Sequence, residues 1–328
     1  MVWDLIAGFA AAALVSLIAC RILIAAGPID RPSLKRHEHT APTPTSGGLG
    51  IAIGFAAGLI LLALIPNGIW AEITFLGLRR LFIAVGFACL FLAIGFWDDA
   101  RPLSAPIKFI AFALLSIGAT FAIGGVHTFP IGYGAWEAPL WLSLAGTALW
   151  IFVMVNAVNF MDGANGLAMG SVTIGLIALG AIAAAHGSAA GIAVCLTAVG
   201  ALCGFLYWNF PGGRLFAGDS GALFTGALAA LASIVVIHRT GLSPLVPAII
   251  FFPLLADVLV TLVWRAYRRH SLLDGHSEHI YQILIRGGMS HAEIARRWQF
   301  AAASASWSHV TKVLRPGSRC RSWRFLRS

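Results

Sequence analysis

The chain has 328 residues, of which 59% are hydrophobic and only 11% are charged. A soluble domain carries about 25% charged residues, so these proportions exclude a soluble fold, and the abundance of apolar side chains excludes a disordered chain. The net charge is +9, but twelve of the 22 Lys and Arg residues lie from Arg265 onward. This distribution predicts a basic tail at a membrane surface rather than nucleic-acid binding.

Apolar runs follow one another along the chain, and each is close to the roughly 20 residues that a helix needs to cross a bilayer. They predict an all-α polytopic membrane protein with about nine transmembrane helices. The predicted spans are 3–25, 46–65, 80–97, 107–124, 139–158, 166–185, 190–208, 220–238 and 244–264.

Basic residues in the loops predict the orientation of these spans. Eighteen Lys and Arg residues lie in the C-terminal tail and in the loops on the same side of the membrane as that tail, whereas three lie in loops on the opposite side. We therefore expect the N-terminus to face out and the tail to face the cytoplasm. Most polar residues of the loops fall on this predicted cytoplasmic side. A transporter concentrates polar groups near the bilayer midplane, so the pattern favours an enzyme, and a transporter or flippase of a charged lipid is the alternative.

Asp98 and Asp99 end the third predicted span, and Lys108 begins the fourth. Adjacent carboxylates repel each other unless a cation lies nearby. Magnesium, which takes one or two carboxylates together with phosphate oxygens, would relieve that repulsion. A solvated pair at a helix end is the other interpretation.

The richest polar segment runs from Asn156 to Leu167 and includes Asn159, Asp162 and Asn165. Its two glycines permit positive φ and a close approach of the backbone to a ligand. A plain helical hairpin would need fewer such residues, so the segment favours a binding site.

A second polar turn runs from Asn209 to Gly221 and contains Asp219 immediately before a predicted helix. Amide groups at a helix N-terminus suit a phosphate, and Asp219 is suited to ligate a metal ion bound to it. Asp and Ser are also common helix caps, so the pattern leaves both interpretations open.

Two further features lie beyond the eighth predicted span. Asp257 falls within the ninth, where a carboxylate is either functional or held by a buried partner. His276 and His279 are three residues apart and share one face of a helix. Pyrophosphate binding, zinc binding and solvated histidines all agree with this spacing.

Taken in order, these segments resemble the polyprenyl-phosphate N-acetylhexosamine-1-phosphate transferase family over about residues 28–298. The matching pieces are Asp30 to Thr40, Pro42 to Gly48, Asp98-Asp99 with Lys108, Asn156 to Leu167, Asn209 to Gly221, Pro253 to Asp257, and His276 to Gln282. The last of these pieces is most similar to members that initiate O-antigen synthesis from UDP-linked N-acetylated sugars.

The resemblance implies transfer of an N-acetylhexosamine-1-phosphate, or a related N-acetylated sugar-1-phosphate, from a UDP-sugar to undecaprenyl phosphate. UMP would be released, and a lipid-linked cell-envelope glycan would be started at the cytoplasmic face of a bacterial inner membrane. A homodimer is compatible with the resemblance, and nucleic acid is not an expected partner.

The resemblance also implies residue roles. Asp219, together with Asp99, would bind Mg²⁺, or Mn²⁺ as the alternative. Asp98 would deprotonate or position the attacking phosphate, with a covalent aspartyl intermediate as the other route. The substrate-binding residues implied are Lys108, Asn159, Asp162, Asn209, His276 and His279.

Three departures from the family pattern stand out. Asn165 replaces a second Asp, Ala222 replaces a frequent Ser, and residues 299–328 are basic with no run long enough to span. We therefore predict one transferase domain at 1–298 followed by an atypical tail, and an inactive relative stays an alternative. The spacing of the CDP-alcohol phosphotransferases does not fit, because Asp162-Gly163 is followed by Ala-Asn-Gly-Leu.

Overall fold

A computed structural model describes residues 2–26, 29–30, 43–131, 134–270 and 278–314. Within these ranges, eight helices are long and apolar enough to cross a membrane. The eight are α1 Val2–Ala26, α2 Gly47–Leu64, α3 Phe75–Ala100, α4 Ala105–Ile123, α5 Leu140–Met161, α6 Leu167–Ala185, α7 Ala189–Asn209 and α8 Gly218–Thr240. The predicted all-α polytopic fold is confirmed, and each of the first eight predicted spans coincides with one of these helices.

The ninth predicted span is two shorter helices in the structure, α9 Leu245–Ile250 and α10 Phe252–Tyr267. The break falls at Phe251, which caps both helices, and Pro253 lies in the first turn of α10. Proline lacks an N–H, and its ring excludes a continuous helix through the preceding turn. The ninth apolar run is long enough for one span, but Pro253 divides it into two helices.

Two helices follow α10, namely α11 Ile280–Arg286 and α12 His291–Leu314. α12 continues through the predicted boundary between residues 298 and 299 and packs along α6. Ala295 and Ala302 are buried on one face of α12, and Gln299 Nε2 donates to Gly166 O at 2.9 Å. The first part of the predicted tail is thus a helix packed against the bundle, and residues 315–328 lie outside the described ranges.

Short elements connect the helices. The strands β1 Ile29–Asp30 and β2 Thr43–Pro44 pair antiparallel, as do β3 Thr128–Ile131 and β4 Gly134–Glu137. A 3₁₀ turn spans Ile69–Glu72 before α3.

α8 lies at the centre of the bundle. Every residue from Ser220 to Ile237 is buried, and α8 contacts α2, α3, α5, α6 and α7. Small residues permit this close packing; a Cβ on Gly226 would lie 3.0 Å from Val155 Cα of α5. α8, which carries Asp219 in its first turn, is therefore surrounded by protein from Ser220 to Ile237.

The helix termini meet at two opposite ends of the bundle. At the first, which we call the site end, Gly47 N at the start of α2 donates to Phe216 O at 3.0 Å, just before α8 begins. At the second, the opposite end, His238 Nε2 of α8 lies 3.1 Å from Gly124 O, just after α4. The sequence predicts that the site end faces the cytoplasm, and this orientation stays a prediction.

Candidate functional site

A cavity of about 340 Å³ opens at the site end. Five of the residues predicted from sequence line it together, namely Asp99, Asn159, Asp162, Asn209 and Asp219. Further polar residues complete the wall, namely Thr45, Asn165, Tyr281, Gln282 and His291. Residues from six separate segments thus form one polar pocket at the end of an apolar bundle.

Lys108, at the start of α4, connects two of the predicted catalytic residues. Its Nζ forms an ion pair with the carboxylate of Asp98 and lies 2.9 Å from Asp219 Oδ2. The Asp98 side chain is 3% exposed, and its Oδ1 accepts a hydrogen bond from Leu103 N at 2.7 Å. Asp98 therefore lies behind the pocket wall, and Lys108 links it to Asp219 at the pocket.

Asp99 has a different role from its neighbour because it caps α8. Its Oδ1 accepts from Asp219 N at 2.8 Å, and its Oδ2 accepts from Ser220 N at 3.0 Å. A carboxylate at a helix N-terminus satisfies unpaired amides and offsets the helix dipole. The two amides that the sequence suggested for a phosphate are thus used by Asp99. A carboxylate offers about four lone-pair sites, so Asp99 keeps acceptor capacity toward the pocket.

Asp162, immediately after α5, has a perturbed carboxyl group. Burial raises its pKa well above the usual value, and the nearby carboxylates of Asp219 and Asp99 raise the pKa further. Asn159, one turn earlier on α5, lines the same pocket. The pocket therefore carries an excess of negative charge.

The four carboxyl groups of this cluster (Asp98, Asp99, Asp162 and Asp219) fit a magnesium ion that is shared with a substrate. Within the described ranges, Lys108 is the one ammonium or guanidinium group that forms ion pairs with them. No three His, Cys, Asp or Glu side chains of the described residues converge to hold a metal alone. Magnesium characteristically takes one or two carboxylates and completes its shell with water and phosphate oxygens. The hard oxygen donors of Asp99 and Asp219 match that requirement.

Asn209 braces the pocket rather than presenting a free amide. Its Oδ1 accepts from Gly166 N at 2.7 Å, and its Nδ2 donates to Leu215 O at 2.9 Å. Gly166 has φ of +74°, a left-handed conformation that glycine adopts without strain. Asn209 thus joins the polar turn before α6 to the one before α8.

His279 does not line the pocket. Its ring is buried, and its Nδ1 lies 3.2 Å from Asp257 Oδ1. Asp257 also accepts from Ile280 N at 3.0 Å and Tyr281 N at 3.2 Å. The buried partner expected for Asp257 is therefore the start of α11, and a direct phosphate contact by His279 does not follow from its position. His276 lies outside the described residues.

Five polar pocket residues were not assigned roles from sequence: Thr45, Asn165, Tyr281, Gln282 and His291. Tyr281 Oη donates to Phe160 O at 3.1 Å, and Asn165 N donates to His291 Nδ1 at 3.4 Å. Tyr281 and Gln282 belong to the last matching segment, so their neighbourhood was visible in sequence. His291 is a single histidine in a polar stretch, and only the packing of α12 brings it to the pocket.

The sequence is similar to that of a known protein family and of several known proteins. Residues 81–237 match the family described as "Glycosyl transferase family 4". The chain is 30% identical over 289 residues, 85% of its length and 75% of the relative, to the probable undecaprenyl-phosphate N-acetylglucosaminyl 1-phosphate transferase of Bacillus subtilis.

Two other relatives have similar identity. The phospho-N-acetylmuramoyl-pentapeptide-transferase of Lactiplantibacillus plantarum is 31% identical, over 69% of this chain and 71% of the relative. The decaprenyl-phosphate N-acetylglucosaminephosphotransferase of Mycolicibacterium smegmatis is also 31% identical, over 78% and 68%. The family match includes the segments that carry Asp98, Asp162 and Asp219.

Proposed function

Because the chain belongs to the polyprenyl-phosphate N-acetylhexosamine-1-phosphate transferase family, we propose that it transfers an N-acetylhexosamine-1-phosphate unit to a polyprenyl phosphate. The relatives are named for transfers of this kind to undecaprenyl or decaprenyl phosphate. To this we add a UDP-linked donor, magnesium, and the start of a lipid-linked cell-envelope glycan.

The observation that carries this proposal is the Lys108 bridge between Asp98 and Asp219 at a polar pocket of a membrane bundle. One substrate is a long isoprenoid and the other is a water-soluble nucleotide, so their reacting groups must meet at a membrane surface. The cavity opens where apolar helices end, which suits both substrates. Polar groups gathered at helix termini do not support a transport path through the midplane.

In the proposed reaction, a phosphate oxygen of the lipid forms a bond to the β-phosphorus of the UDP-sugar. The bond from that phosphorus to the bridging oxygen breaks, and UMP leaves with the electron pair. Asp98, fixed behind the pocket wall by Leu103 N and Lys108, would position the attacking phosphate through the ammonium group of Lys108, and acceptance of the phosphate proton is the other role proposed for it. A covalent aspartyl intermediate is the alternative route.

The main difficulty of this reaction is the approach of one anion to another. Magnesium bound by Asp219 and Asp99 would supply positive charge at the pyrophosphate and hold the two phosphates in place. Lys108 adds an ammonium group beside the same carboxylates. Asn159 and Asp162 form the wall that the nucleotide would contact, and Asn209 keeps that wall in shape.

We also propose that the site end faces the cytoplasm of a bacterial inner membrane. The distribution of basic residues supports this orientation, because positive loops stay on the cytoplasmic side. A UDP-sugar is a cytoplasmic metabolite, and the orientation would give it direct access to the pocket. The homodimer stays a prediction.

The test is UMP release by the purified protein in detergent with a UDP-N-acetylhexosamine, undecaprenyl phosphate and Mg²⁺. We expect release that requires the lipid and stops with EDTA, and a panel of UDP-sugars would identify the donor. Glu137→Gln, on an exposed strand of the opposite end, is a matched carboxylate control that should retain activity. UMP release without lipid phosphate, or none with any UDP-sugar, would contradict the proposed reaction.

A further inference from the structure

A second polar cavity lies at the opposite end of the bundle. It has a volume of about 30 Å³ and lies where α3 begins, α7 begins and α8 ends. Its polar lining consists of Glu72, Thr74, Arg80, Ser188 and Arg239. α7 has 21 residues, which at 1.5 Å per residue separates this cavity from the Asn209 end of the helix by about 30 Å.

Ser188 immediately precedes α7 and would normally cap it. Its side chain makes no capping hydrogen bond, although Ser188 is only 1% exposed. Its hydroxyl has no hydrogen-bond partner among the described residues. A buried hydroxyl without a partner costs free energy, so the cavity offers an unsatisfied donor beside the N-terminus of a 21-residue helix.

The charge of this cavity points to an anion. Arg80 and Arg239 both line it, and neither forms an ion pair within the described parts of the chain. Glu72 is the one acidic residue in the lining; it is exposed, as is Arg239, whereas Arg80 is half-buried. Two guanidinium groups therefore face one carboxylate, and the positive end of the α7 dipole adds to the excess.

We propose that this cavity binds a phosphate-type oxyanion, from a phospholipid headgroup or from free phosphate. Arginine matches phosphate geometry with paired N–H donors, and a helix N-terminus with a free hydroxyl supplies further donors. The cavity volume is close to that of one water molecule, so only an anionic oxygen enters while the rest of the group stays at the mouth. A buried water would satisfy Ser188 but would not balance the net positive charge that the two arginines and the single carboxylate of Glu72 leave.

The consequence is a site that stabilises the fold without taking part in transfer. A ligand that binds the folded state raises its stability by mass action. The distance from the candidate active site predicts that UMP release is unchanged when the cavity is altered. The proposal therefore stands or fails independently of the proposed function.

The experiment measures thermal unfolding of the full chain with two probes. Inorganic phosphate is titrated against chloride at matched ionic strength in detergent. In lipid nanodiscs, phosphatidylglycerol is compared with an uncharged galactolipid, and native mass spectrometry counts the lipids retained. Arg239→Gln and Ser188→Ala alter the cavity, and Arg79→Gln removes an adjacent arginine that does not line it. Arg239→Lys is the variant to use if the glutamine protein does not fold.

Saturable stabilisation by inorganic phosphate, lost in Arg239→Gln and Ser188→Ala but kept in Arg79→Gln, would support the site with free phosphate as ligand. If only phosphatidylglycerol stabilises the protein and is retained by it, with the same pattern among the variants, the result would support the site with a lipid headgroup as ligand. Equal responses of Arg79→Gln and Arg239→Gln would reveal general surface charge and overturn the proposal. No response to either probe would also overturn it.

Discussion

Asp219 and Asp257 both lie on helices of the bundle, but their surroundings differ. Asp257 is enclosed and accepts hydrogen bonds from His279, Ile280 and Tyr281, all supplied by the segment that begins α11. The Asp219 side chain is 32% exposed and shares the ammonium group of Lys108 with another carboxylate.

This difference separates a structural carboxylate from one that is available for chemistry. Where donors match acceptors, as around Asp257, the carboxylate fixes a chain segment in place. Where carboxylates outnumber cations, as in the pocket, the positive charge of a metal ion would complete the site. Removing the carboxylate should therefore act mainly on stability at Asp257 and mainly on turnover at Asp219.

The largest effect is expected from Asp219→Asn. The substitution keeps the size of the side chain but removes the charge that pairs with Lys108 and that we assign to magnesium. Loss of one electrostatic contact to the transition state typically costs about 10²–10³-fold in rate, and we expect a loss of at least that size in UMP release. The unfolding temperature should not fall, because the pocket loses a repelling charge.

Asp98→Asn should also lower UMP release strongly, since Asp98 shares the ammonium group of Lys108. Asp98 is buried and accepts from Leu103 N at 2.7 Å, so this substitution should in addition lower the unfolding temperature. Normal turnover by either purified variant would refute the role assigned to that residue, and a large drop in the unfolding temperature of Asp219→Asn would remove the contrast with Asp257.

Asp257→Asn should act mainly on stability. The amide nitrogen cannot accept from backbone N–H groups, so at least one buried donor at the start of α11 loses its partner. Such a loss typically costs about 1–3 kcal/mol, and the unfolding temperature in detergent should fall accordingly. Transfer should decline less than in Asp219→Asn, through displacement of Tyr281 and Gln282 in the pocket wall.

His279→Gln is the matched variant, because it alters one of the three contacts that the segment beginning α11 makes with Asp257 and leaves both backbone donors. It should have a smaller effect on unfolding than Asp257→Asn. If His279→Gln instead abolished transfer at unchanged stability, His279 would belong to the chemistry and not to the structural group.

The pH dependence of unfolding should reveal the crowded charges of the pocket through Asp162. Its pKa is raised in the folded state, so the folded protein favours the neutral carboxyl. This contribution to stability is fully present below the ordinary Asp pKa of about 3.9 and is lost as the pH rises through the raised pKa. Stability should therefore decline across that interval in the native protein.

Asp162→Asn should flatten this part of the pH profile, whereas Glu137→Gln should leave it unchanged. The measurement is the midpoint of thermal unfolding against pH in detergent without magnesium. An unaltered slope in Asp162→Asn would show that Asp162 is not the source.

The smallest effect is expected from Thr261→Val, which tests where the stability of the Asp257 group originates. Thr261 Oγ1 donates to Asp257 O at 2.8 Å and lies 3.4 Å from Asp257 Oδ1, both within α10. Loss of such a bond costs about 0.5–1.5 kcal/mol, and we expect the lower end because the backbone carbonyl is already in a helix. If Thr261→Val lowers stability as much as Asp257→Asn does, the stability of the Asp257 group originates within α10 and not in its contacts with α11.

Hydropathy predicted the first eight helices, and polarity at their ends predicted which carboxylates meet. Asp99, Asp162 and Asp219 lie beside spans of alternating direction, so their common end of the bundle follows from counting spans. That inference needs no side-chain geometry, which is why the pocket could be anticipated.

The contacts inside the pocket could not be anticipated. Asp99 caps α8 from 120 residues away in sequence, because the last turn of α3 passes the first turn of α8. From sequence alone, the role of a metal ligand fits Asp99 equally well. His279 likewise carries a motif that suggests phosphate binding, and only its distance to Asp257 shows that the ring is committed elsewhere.

The C-terminal part was the hardest to predict. The ninth run has enough apolar residues for one span, and length alone does not reveal the break before Pro253. α12 has few large apolar residues, so hydropathy did not mark it. It packs along α6, and its buried residues include Ile294, Ala295 and Ala302.

The complete enclosure of α8 has a consequence for how the protein responds to its lipid environment. Changes in bilayer thickness act on helices through their contact with acyl chains, which tilt or shift to cover mismatched lengths. α8 has no lipid-facing residue between Ser220 and Ile237, so peripheral helices such as α1 and α4 take up such adjustments. The depth of the Asp219 carboxylate in the membrane should therefore change little when the thickness of the bilayer changes.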